Sequence, residues 1–258
     1  MSWKRLAARA ISELFAWKGK HTGVRPGFRI LLYHAVGSPL ANDSYGISIQ
    51  PESFERHMKV LAQRPEVQAV DLCARPPSTK PLQVAVTFDD GYKDNLYTAA
   101  PILLKFQIPF TVFVTTSFIR GGSPTYLSAS ELRELGSLPG VNIGSHGATH
   151  LPLARCDDAT LWQELYESRC DLEDVIGKAV KAIAYPHGSV NRRVRDAARK
   201  AGYSVGGCSR FDINDQSRDP LLLCRCEVLA ADSERVFLQK LKGAWDWYKW
   251  RARDPATR

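Results

Sequence analysis

Long apolar runs are missing from this chain of 258 residues. No stretch approaches the roughly 18 consecutive apolar residues that a membrane-spanning helix requires. A secretory signal is missing as well, since Arg9, Glu13 and Lys18 interrupt any apolar stretch after the basic start. We therefore expect a globular protein with neither a spanning helix nor a cleaved signal.

Cysteines in metal-binding or redox spacing are also missing. None of the six cysteines forms a CxxC pair, which argues against a zinc knot or a thioredoxin-like motif. Unpatterned cysteines and the missing signal together favour a reducing compartment. We expect a cytoplasmic protein, either free or held peripherally at the inner face of the cytoplasmic membrane.

Positive charge is in excess, with a formal net charge of +8, and would attract an anionic partner. Nucleic acid is not expected, because no nucleic-acid-binding motif and no basic-aromatic stripe accompanies the candidate active site. A membrane surface, a lipid-pyrophosphate sugar or a nucleotide sugar would match the same charge. Charge alone does not choose among them.

Residues 1–27 are predicted to form an amphipathic helix and a linker, because apolar side chains recur there at helical spacing. They are Trp3, Leu6, Ala10, Leu14 and Trp17. Basic residues surround that face, and they are Lys4, Arg5, Arg9, Lys18 and Lys20. The combination suits a helix on an anionic membrane, and a helix docked on its own domain is the alternative.

Residues 28–230 alternate strand-like runs with helical patterns. The strand-like runs begin at Phe28, Val84, Phe110, Val141, Lys181, Tyr203 and Leu221. Strands separated by helices indicate parallel βα units, and near-continuous apolar strands indicate burial on both faces. Seven such units fit a closed or nearly closed α/β barrel, in a single domain, better than an open sheet.

Residues 231–258 are predicted to form an aromatic, basic helix and a tail, with helical pattern from Asp232 to Trp250. Trp247 and Trp250 are three apart and would share a helix face with Lys240 and Ala244. Packing on the barrel is one interpretation. The other pairs this helix with the N-terminal one as a membrane-facing surface.

The first chemical motif is Thr87-Phe88-Asp89-Asp90-Gly91-Tyr92, where two adjacent carboxylates end an apolar strand. Successive side chains diverge there, so one can bind a metal while the other accepts a proton. Ordinary turn chemistry is the alternative, because Asp-Gly after a strand is common. The chemically interesting residues nevertheless collect at carboxyl ends of strands, where parallel barrels carry active sites.

The second motif is Ser145-His146-Gly147-Ala148-Thr149-His150, with two histidines that can face one ion. Taken alone, such a pair is more often a pair of surface or capping histidines. With one Asp, two histidines leave metal positions open for water and substrate, which is the catalytic arrangement. A third motif, Tyr185-Pro186-His187, turns at a strand end and is expected to shape a substrate-binding groove wall.

These motifs resemble those of the polysaccharide deacetylases, the chitooligosaccharide deacetylase-like carbohydrate esterases. The resemblance covers roughly Phe28 to Val228 and implies a distorted (β/α)7 barrel that hydrolyses N-acetyl groups on N-acetylglucosamine-type sugars. It implies Asp89 as the base, a backbone oxyanion donor at Tyr92, and a divalent metal, zinc being the expected ion. The implied metal ligands are Asp90, His146 and His150.

Two positions depart from the family pattern. The third motif has Ala184 where the family has an arginine that orients the catalytic aspartate, and no histidine follows His187. Leu32-Tyr33-His34 instead resembles the missing Leu-x-His motif at the front of the chain, as in the circularly permuted poly-N-acetylglucosamine deacetylase branch. We therefore predict His34 as the general acid, with a buried structural histidine as the alternative. Arg225, on the last strand, is the predicted substitute arginine.

The predicted function is removal of acetyl groups from N-acetylated saccharides, free or lipid-linked, in bacterial surface polysaccharide biosynthesis. One alternative is a glycan-binding protein that kept the barrel without activity. Another is a metal hydrolase acting on a phosphoester or on a different acyl group, such as a formamide.

Overall fold

The computed structural model describes residues 3–18, 24–41, 43–251 and 253–257. Predictions for the linker at 19–23 and for Lys20 lie outside these described residues, as do those for the side chains of residues 3–6 and Lys18. The division of the chain at residues 27 and 230 stays a prediction. No helix among the described residues is long and apolar enough to cross a membrane.

The main sheet is parallel throughout, with strands in the order β10-β9-β8-β7-β6-β5-β1-β11 and β4 beside β5. The strands are β1 (Gly27–Tyr33), β2 (Ala35–Val36), β3 (Ser48–Ile49), β4 (Val67–Ala69), β5 (Leu82–Phe88), β6 (Phe110–Val114), β7 (Val141–Ser145), β8 (Ala182–Ala184), β9 (Val205–Cys208), β10 (Leu223–Cys224) and β11 (Cys226–Glu227). Strands β2 and β3 pair separately. Every strand-like run of the sequence falls on a strand of this sheet.

A single residue, Arg225, joins the two ends of the sheet. It separates β10, which pairs with β9, from β11, which pairs with β1. The chain itself therefore bridges the gap, and the sheet curls into a nearly closed barrel. This confirms the predicted distorted (β/α)7 architecture in a single domain.

Helices cover the outside of this barrel. They are α1 (Trp3–Lys18), α2 (Pro51–Gln63), α3 (Ala100–Lys105), α4 (Thr116–Arg120), α5 (Ala129–Ser137), α6 (Asp158–Trp162), α7 (Ser168–Ile176), α8 (Arg192–Lys200) and α9 (Glu234–Lys242). π-Helical turns at Asn95–Ala99 and Gln163–Glu167 lead into α3 and join α6 to α7. Ser128 and Glu131 form a capping box at the start of α5, which explains where that helix begins.

Two packed layers follow from the alternation of side chains along the strands. Phe28 and Ile30 of β1 meet Phe113 of β6 and Leu223 of β10 in a small cluster, so these side chains fill the barrel interior. Alternate positions face outward and join the larger core under the helices. Gly144 makes room for the interior Phe113, because an added Cβ would lie 2.4 Å from its ring.

The prediction of one helix from Asp232 to Trp250 is wrong for the C-terminal segment, residues 231–258. Helix α9 ends at Gly243, whose φ is 88°, and a separate 3-10 helix covers Asp246–Arg251. A Cβ on Gly243 would lie 2.8 Å from Asp246 Oδ2, where Asp246 pairs with the buried Arg29. Trp247 and Trp250 therefore do not continue the helix face of Lys240.

Candidate active site

Asp89 and Asp90 lie at the carboxyl end of β5, where the chain turns sharply. The Asp89 N–H donates to the carbonyl of Tyr33 at 2.9 Å and so prolongs the ladder with β1. Asp90 and Gly91 then both adopt left-handed backbone angles, with φ of 74° and 76°. Aspartate and glycine tolerate this region better than most residues. The turn separates two consecutive carboxyl groups and gives each its own surroundings.

Asp90, His146 and His150 form a cluster that could hold a metal ion, with one ligand atom from each within 4.8 Å of the others. Asp90 Oδ1 lies 3.5 Å from His146 Nε2 and 3.3 Å from His150 Nε2. That oxygen is buried and makes no hydrogen bond. A buried carboxylate oxygen without a donor, facing two imidazole nitrogens, fits a divalent cation.

His146 is held in the form that binds metals. Its Nδ1 lies 2.7 Å from the carbonyl oxygen of Ala184, to which it donates, so Nε2 keeps its lone pair and faces Asp90. Burial lowers the pKa of His146 and favours the neutral ring, although the two nearby aspartates work in the other direction. Ala184 thus contributes its backbone where the family has an arginine side chain.

Glu164 organises the loop that carries both histidines. Its buried carboxylate accepts hydrogen bonds from the backbone N–H of Ala148 at 2.9 Å and of Thr149 at 3.0 Å, and from the Thr149 hydroxyl. His150, the next residue, is held at a left-handed φ of 63°. Glu164 lies in a π-helical turn and belongs to no motif, so no sequence pattern points to it.

Asp89 forms a bidentate ion pair with Arg225, with Nη–Oδ distances of 2.7 and 2.8 Å. Both side chains are buried, and the Arg225 guanidinium lies over the ring of Phe113 at 5.3 Å. Burial alone would raise the pKa of Asp89, but Arg225 and the neighbouring His146 hold it well below its usual range. Asp89 is therefore an oriented carboxylate, positioned by the residue that joins β10 to β11.

His34 lies at the carboxyl end of β1, on the same end of the barrel. Its Nδ1 is buried and makes no hydrogen bond, and its position close to Asp89 and Asp90 contributes to lowering the pKa of both. The Asn95 side chain donates to the His34 carbonyl at 2.9 Å, and Asp94 accepts from the N–H of the nearby Val36 at 2.8 Å. Asp94 and Asn95 thus fix this strand end, a role that sequence reasoning missed.

Tyr92 lies beside the cluster and forms an antiparallel bridge with Tyr126. The backbone N–H of Tyr92 takes no part in the hydrogen bonds of that bridge. The bridge uses the N–H groups of Lys93 and Leu127, which donate to Thr125 and Gly91 at 3.0 Å. The Tyr92 side chain is buried and packs on the ring of Tyr126, with the ring centroids 5.1 Å apart. The position is compatible with the backbone donor expected from sequence.

Aromatic rings border the cluster on the His150 side. Phe118 stacks on Tyr126 at 4.4 Å and lies 5.9 Å from the His150 ring. His187 is exposed, with its ring centroid 4.6 Å from that of His150. These rings form an aromatic wall beside the polar centre.

Of the three residues predicted to contact substrate, only His187 is exposed at the site. The prediction for Tyr185 is wrong, because its side chain is fully buried and its hydroxyl donates to the Leu221 carbonyl at 2.8 Å. Gly206 makes room for that hydroxyl, since an added Cβ would lie 2.7 Å from it. Pro186 is buried as well.

Comparison with known proteins places this barrel and cluster in one family. The polysaccharide deacetylase family model matches residues 77–206, half of the chain. The chain therefore belongs to the polysaccharide deacetylase family. The matched range contains Asp89, Asp90, His146 and His150, whereas His34 and Arg225 lie outside it.

Two individual relatives are also named as deacetylases. A polysaccharide deacetylase of Bacillus subtilis (strain 168) is 30% identical over 184 residues, covering 69% of this chain and 62% of that protein. A poly-β-1,6-N-acetyl-D-glucosamine N-deacetylase of Staphylococcus aureus is 29% identical over 150 residues, covering 53% of this chain and 50% of that protein. The chain thus spans between half and two thirds of the length of these relatives.

A solved structure supports the fold. The Streptococcus pyogenes deacetylase solved with acetate superposes with a TM-score of 0.72, covering 84% of this chain and 99% of that one, at 23% identity. At this identity the likeness concerns the barrel and its strand order.

Proposed function

We propose that this protein is a metal-dependent N-deacetylase that removes acetyl groups from N-acetylated amino sugars. The observation that carries the proposal is the buried Asp90 oxygen that faces two histidines and accepts no hydrogen bond, beside a carboxylate held by Arg225. The Staphylococcus aureus relative is named for deacetylating a polymer of N-acetylglucosamine, which supports this class of substrate.

Asp90, His146 and His150 would hold the metal, and zinc is the ion we expect for two histidines and one aspartate. When bound there, a divalent ion supplies Lewis acidity, which polarises the acyl carbonyl and lowers the pKa of water. Glu164 keeps the histidine loop in place for such binding. The Ala184 carbonyl fixes the proton of His146 on Nδ1, away from the cluster.

Asp89 would act as the base. Its pKa lies well below the usual range because Arg225 and His146 outweigh burial, so it is ionised at neutral pH and free to accept the proton of the attacking water. The bidentate contact with Arg225 fixes the direction of its lone pairs. The backbone N–H of Tyr92 would donate to the oxyanion that forms.

His34 would act as the acid. Its proton passes to the sugar nitrogen as the carbon–nitrogen bond breaks, while the water proton stays on Asp89 until the site is reset. The products are acetate and a free amino sugar. Phe118 and His187 would contact the sugar ring beside the reacting group.

We further propose that the protein acts in the cytoplasm in bacterial surface polysaccharide biosynthesis. In this proposal it makes peripheral contact with the inner face of the cytoplasmic membrane, where a lipid-linked saccharide would be presented. The formal net charge of +8 supports an anionic setting.

Acetate release tests the proposal directly. Zinc-loaded protein should release acetate from N-acetylglucosamine oligomers, lose that activity with a chelator, and regain it when zinc returns. A matched set of N-formyl sugars and phosphoesters serves as the comparison. Release of formate or phosphate without acetate would overturn the proposed substrate, and failure on every substrate would favour a glycan-binding protein.

A further inference from the structure

The excess of positive charge in this chain lies in its two ends. Residues 1–27 and 231–258 hold 13 of the 35 Lys and Arg residues but only 5 of the 27 Asp and Glu residues. The 203 residues between them carry 22 of each sign, so the ends account for the whole net charge of +8. An anionic partner would therefore be attracted to the ends and not to the barrel.

The two ends pack together into one surface. Arg9 donates to the carbonyl of Ala231 at 2.6 Å, and the Trp247 indole N–H donates to the Ser12 hydroxyl at 2.9 Å. Ala8 and Ser12 of α1 are buried, with 9% and 0% exposure. This face of α1 is therefore docked on the C-terminal segment.

The opposite face of α1 is apolar and exposed. Leu14 and Trp17 are 64% and 67% exposed, and Trp250 from the C-terminal segment is 71% exposed beside them. Ile11 and Phe15 are also exposed, and the Phe15 ring contacts that of Trp250. We call these five residues the outer apolar face. An amphipathic helix on a globular protein ordinarily buries its large apolar side chains and exposes the small or polar ones. Helix α1 does the reverse.

A groove between α1 and α9 continues this face. It encloses about 1140 Å³ and has Leu14, Trp17 and Leu238 on its walls, with Arg235 and Lys242 among its basic residues. Glu13 and Glu234 also line the groove; Arg235 pairs with Glu13, and both Arg235 and Lys242 are exposed. Apolar walls edged by cations match a lipid, whose acyl part is apolar and whose headgroup is anionic.

We infer that α1 and the C-terminal segment form a docking surface for an anionic phospholipid bilayer. The outer apolar face enters the boundary between headgroups and acyl chains, and the surrounding Lys and Arg residues contact the headgroups. The inference deepens the peripheral membrane contact of the proposed function. It rests on this surface alone and not on the catalytic residues.

Vesicle flotation of the full chain tests the inference. The protein should float with vesicles of phosphatidylglycerol and phosphatidylcholine, float poorly with phosphatidylcholine alone, and be released by high salt. The variant Leu14→Ser/Trp17→Ser/Trp250→Ser should weaken partitioning to anionic vesicles by about tenfold or more. The matched control is Trp162→Ser/Tyr166→Ser, which removes two exposed rings from the barrel, 42% and 40% exposed, and should float like wild type.

Charge reversal gives an independent variant that leaves the apolar residues in place. Lys242→Glu/Arg253→Glu should lower binding to anionic vesicles by more than tenfold, since each cation near the surface contributes about fivefold and both are reversed. Lys59→Glu/Lys200→Glu makes the same charge change at exposed barrel positions and should lower binding much less. Equal losses in the two variants would show that net charge alone drives binding and would overturn a defined surface.

Two other outcomes also overturn the inference. The first is wild-type protein that pellets without anionic vesicles. The second is self-association that the triple serine variant abolishes, which would assign the outer apolar face to a second copy. Acetate release from a soluble oligosaccharide is measured on every variant. Wild-type release with lost flotation supports the docking surface, whereas normal flotation without any release by wild type counts against the proposed function alone.

Discussion

Two buried arginine–aspartate pairs of nearly identical geometry lie in different parts of this molecule. Arg225 and Asp89 are joined by contacts of 2.7 and 2.8 Å inside the barrel, near the histidine cluster. Arg29 and Asp246 are joined by contacts of 2.9 and 3.0 Å where the C-terminal segment meets β1. Each guanidinium is fully buried.

Their neighbours differ. Asp89 lies 3.8 Å from His146 Nε2 and directly precedes Asp90 in the chain. A buried oxygen of Asp90 makes no hydrogen bond. Asp246 instead meets a second cation, Arg25, at 3.4 Å, and its N–H donates to Gly243. A buried bidentate ion pair is therefore no sign of chemistry by itself. The groups around the carboxylate decide whether it can serve a reaction or only join two segments.

Asp89→Asn should show most clearly that the two ion pairs have different roles. The amide cannot accept the water proton, so acetate release should fall by about a thousandfold or more. The measurement is kcat at saturating substrate, with metal content determined on the same sample. A variant that keeps its metal and more than a tenth of the wild-type rate would remove Asp89 from the role of base.

Asp246→Asn should act on stability instead. It leaves the Arg29 charge buried without its carboxylate, which costs about 3–5 kcal/mol of unfolding free energy. Urea unfolding measures this loss, while kcat for the folded fraction should stay at the wild-type value. Full stability, or a folded variant with a lowered kcat, would contradict the division between the two pairs.

Lysine substitution sharpens the comparison, because lysine keeps the charge but cannot make the bidentate contact. Arg225→Lys should lower kcat by about 10–100-fold with little change in KM, as expected for a group that orients another. Arg29→Lys is the matched control and should leave kcat unchanged. If both variants lose activity equally, the orienting role of Arg225 fails.

A pH effect on stability should arise where α2 packs against α9. His57 is buried and stacks on Phe237 of α9 at 4.1 Å, and burial lowers its pKa to about 4. The unfolded chain, with an ordinary histidine pKa, then binds more protons between about pH 6.5 and pH 4, so stability is present above this window and is lost as the pH falls through it. This contribution amounts to about 2 kcal/mol between pH 7.5 and pH 5.

His57→Phe keeps a ring on Phe237 and removes the titrating group. Its unfolding free energy, measured by urea at the same two pH values, should fall by about 2 kcal/mol less than that of wild type. An identical pH dependence in the two proteins would assign the acid sensitivity to other groups, such as His146.

Much of the site could be predicted from sequence because its residues lie in short motifs at the ends of parallel strands. The strand order places Asp89, Asp90, His146 and His150 at strand ends that meet, and the resemblance to the polysaccharide deacetylases supplied their separate roles. Arg225 was expected from its place on the last strand. The structure adds that it interrupts that strand and joins the two ends of the sheet.

The remaining features depend on tertiary contacts that a linear pattern does not contain. Glu164 acts through hydrogen bonds to a loop distant in sequence, and Tyr185 turns inward because Gly206 leaves space for its hydroxyl. Helix α9 ends at Gly243, which has a left-handed backbone and lies against the Arg29–Asp246 pair. Periodicity likewise showed that α1 is amphipathic but not which face is docked.

Zinc binding tests the central claim most directly. Wild-type protein, stripped with a chelator and titrated with zinc, should bind one ion per chain, and Asp89→Asn should bind it too. Asp90→Asn and His150→Ala should bind far more weakly, since each removes one of three ligands from the cluster. Wild-type protein that binds no zinc, or an Asp90→Asn variant that binds it as tightly as wild type, would contradict the account.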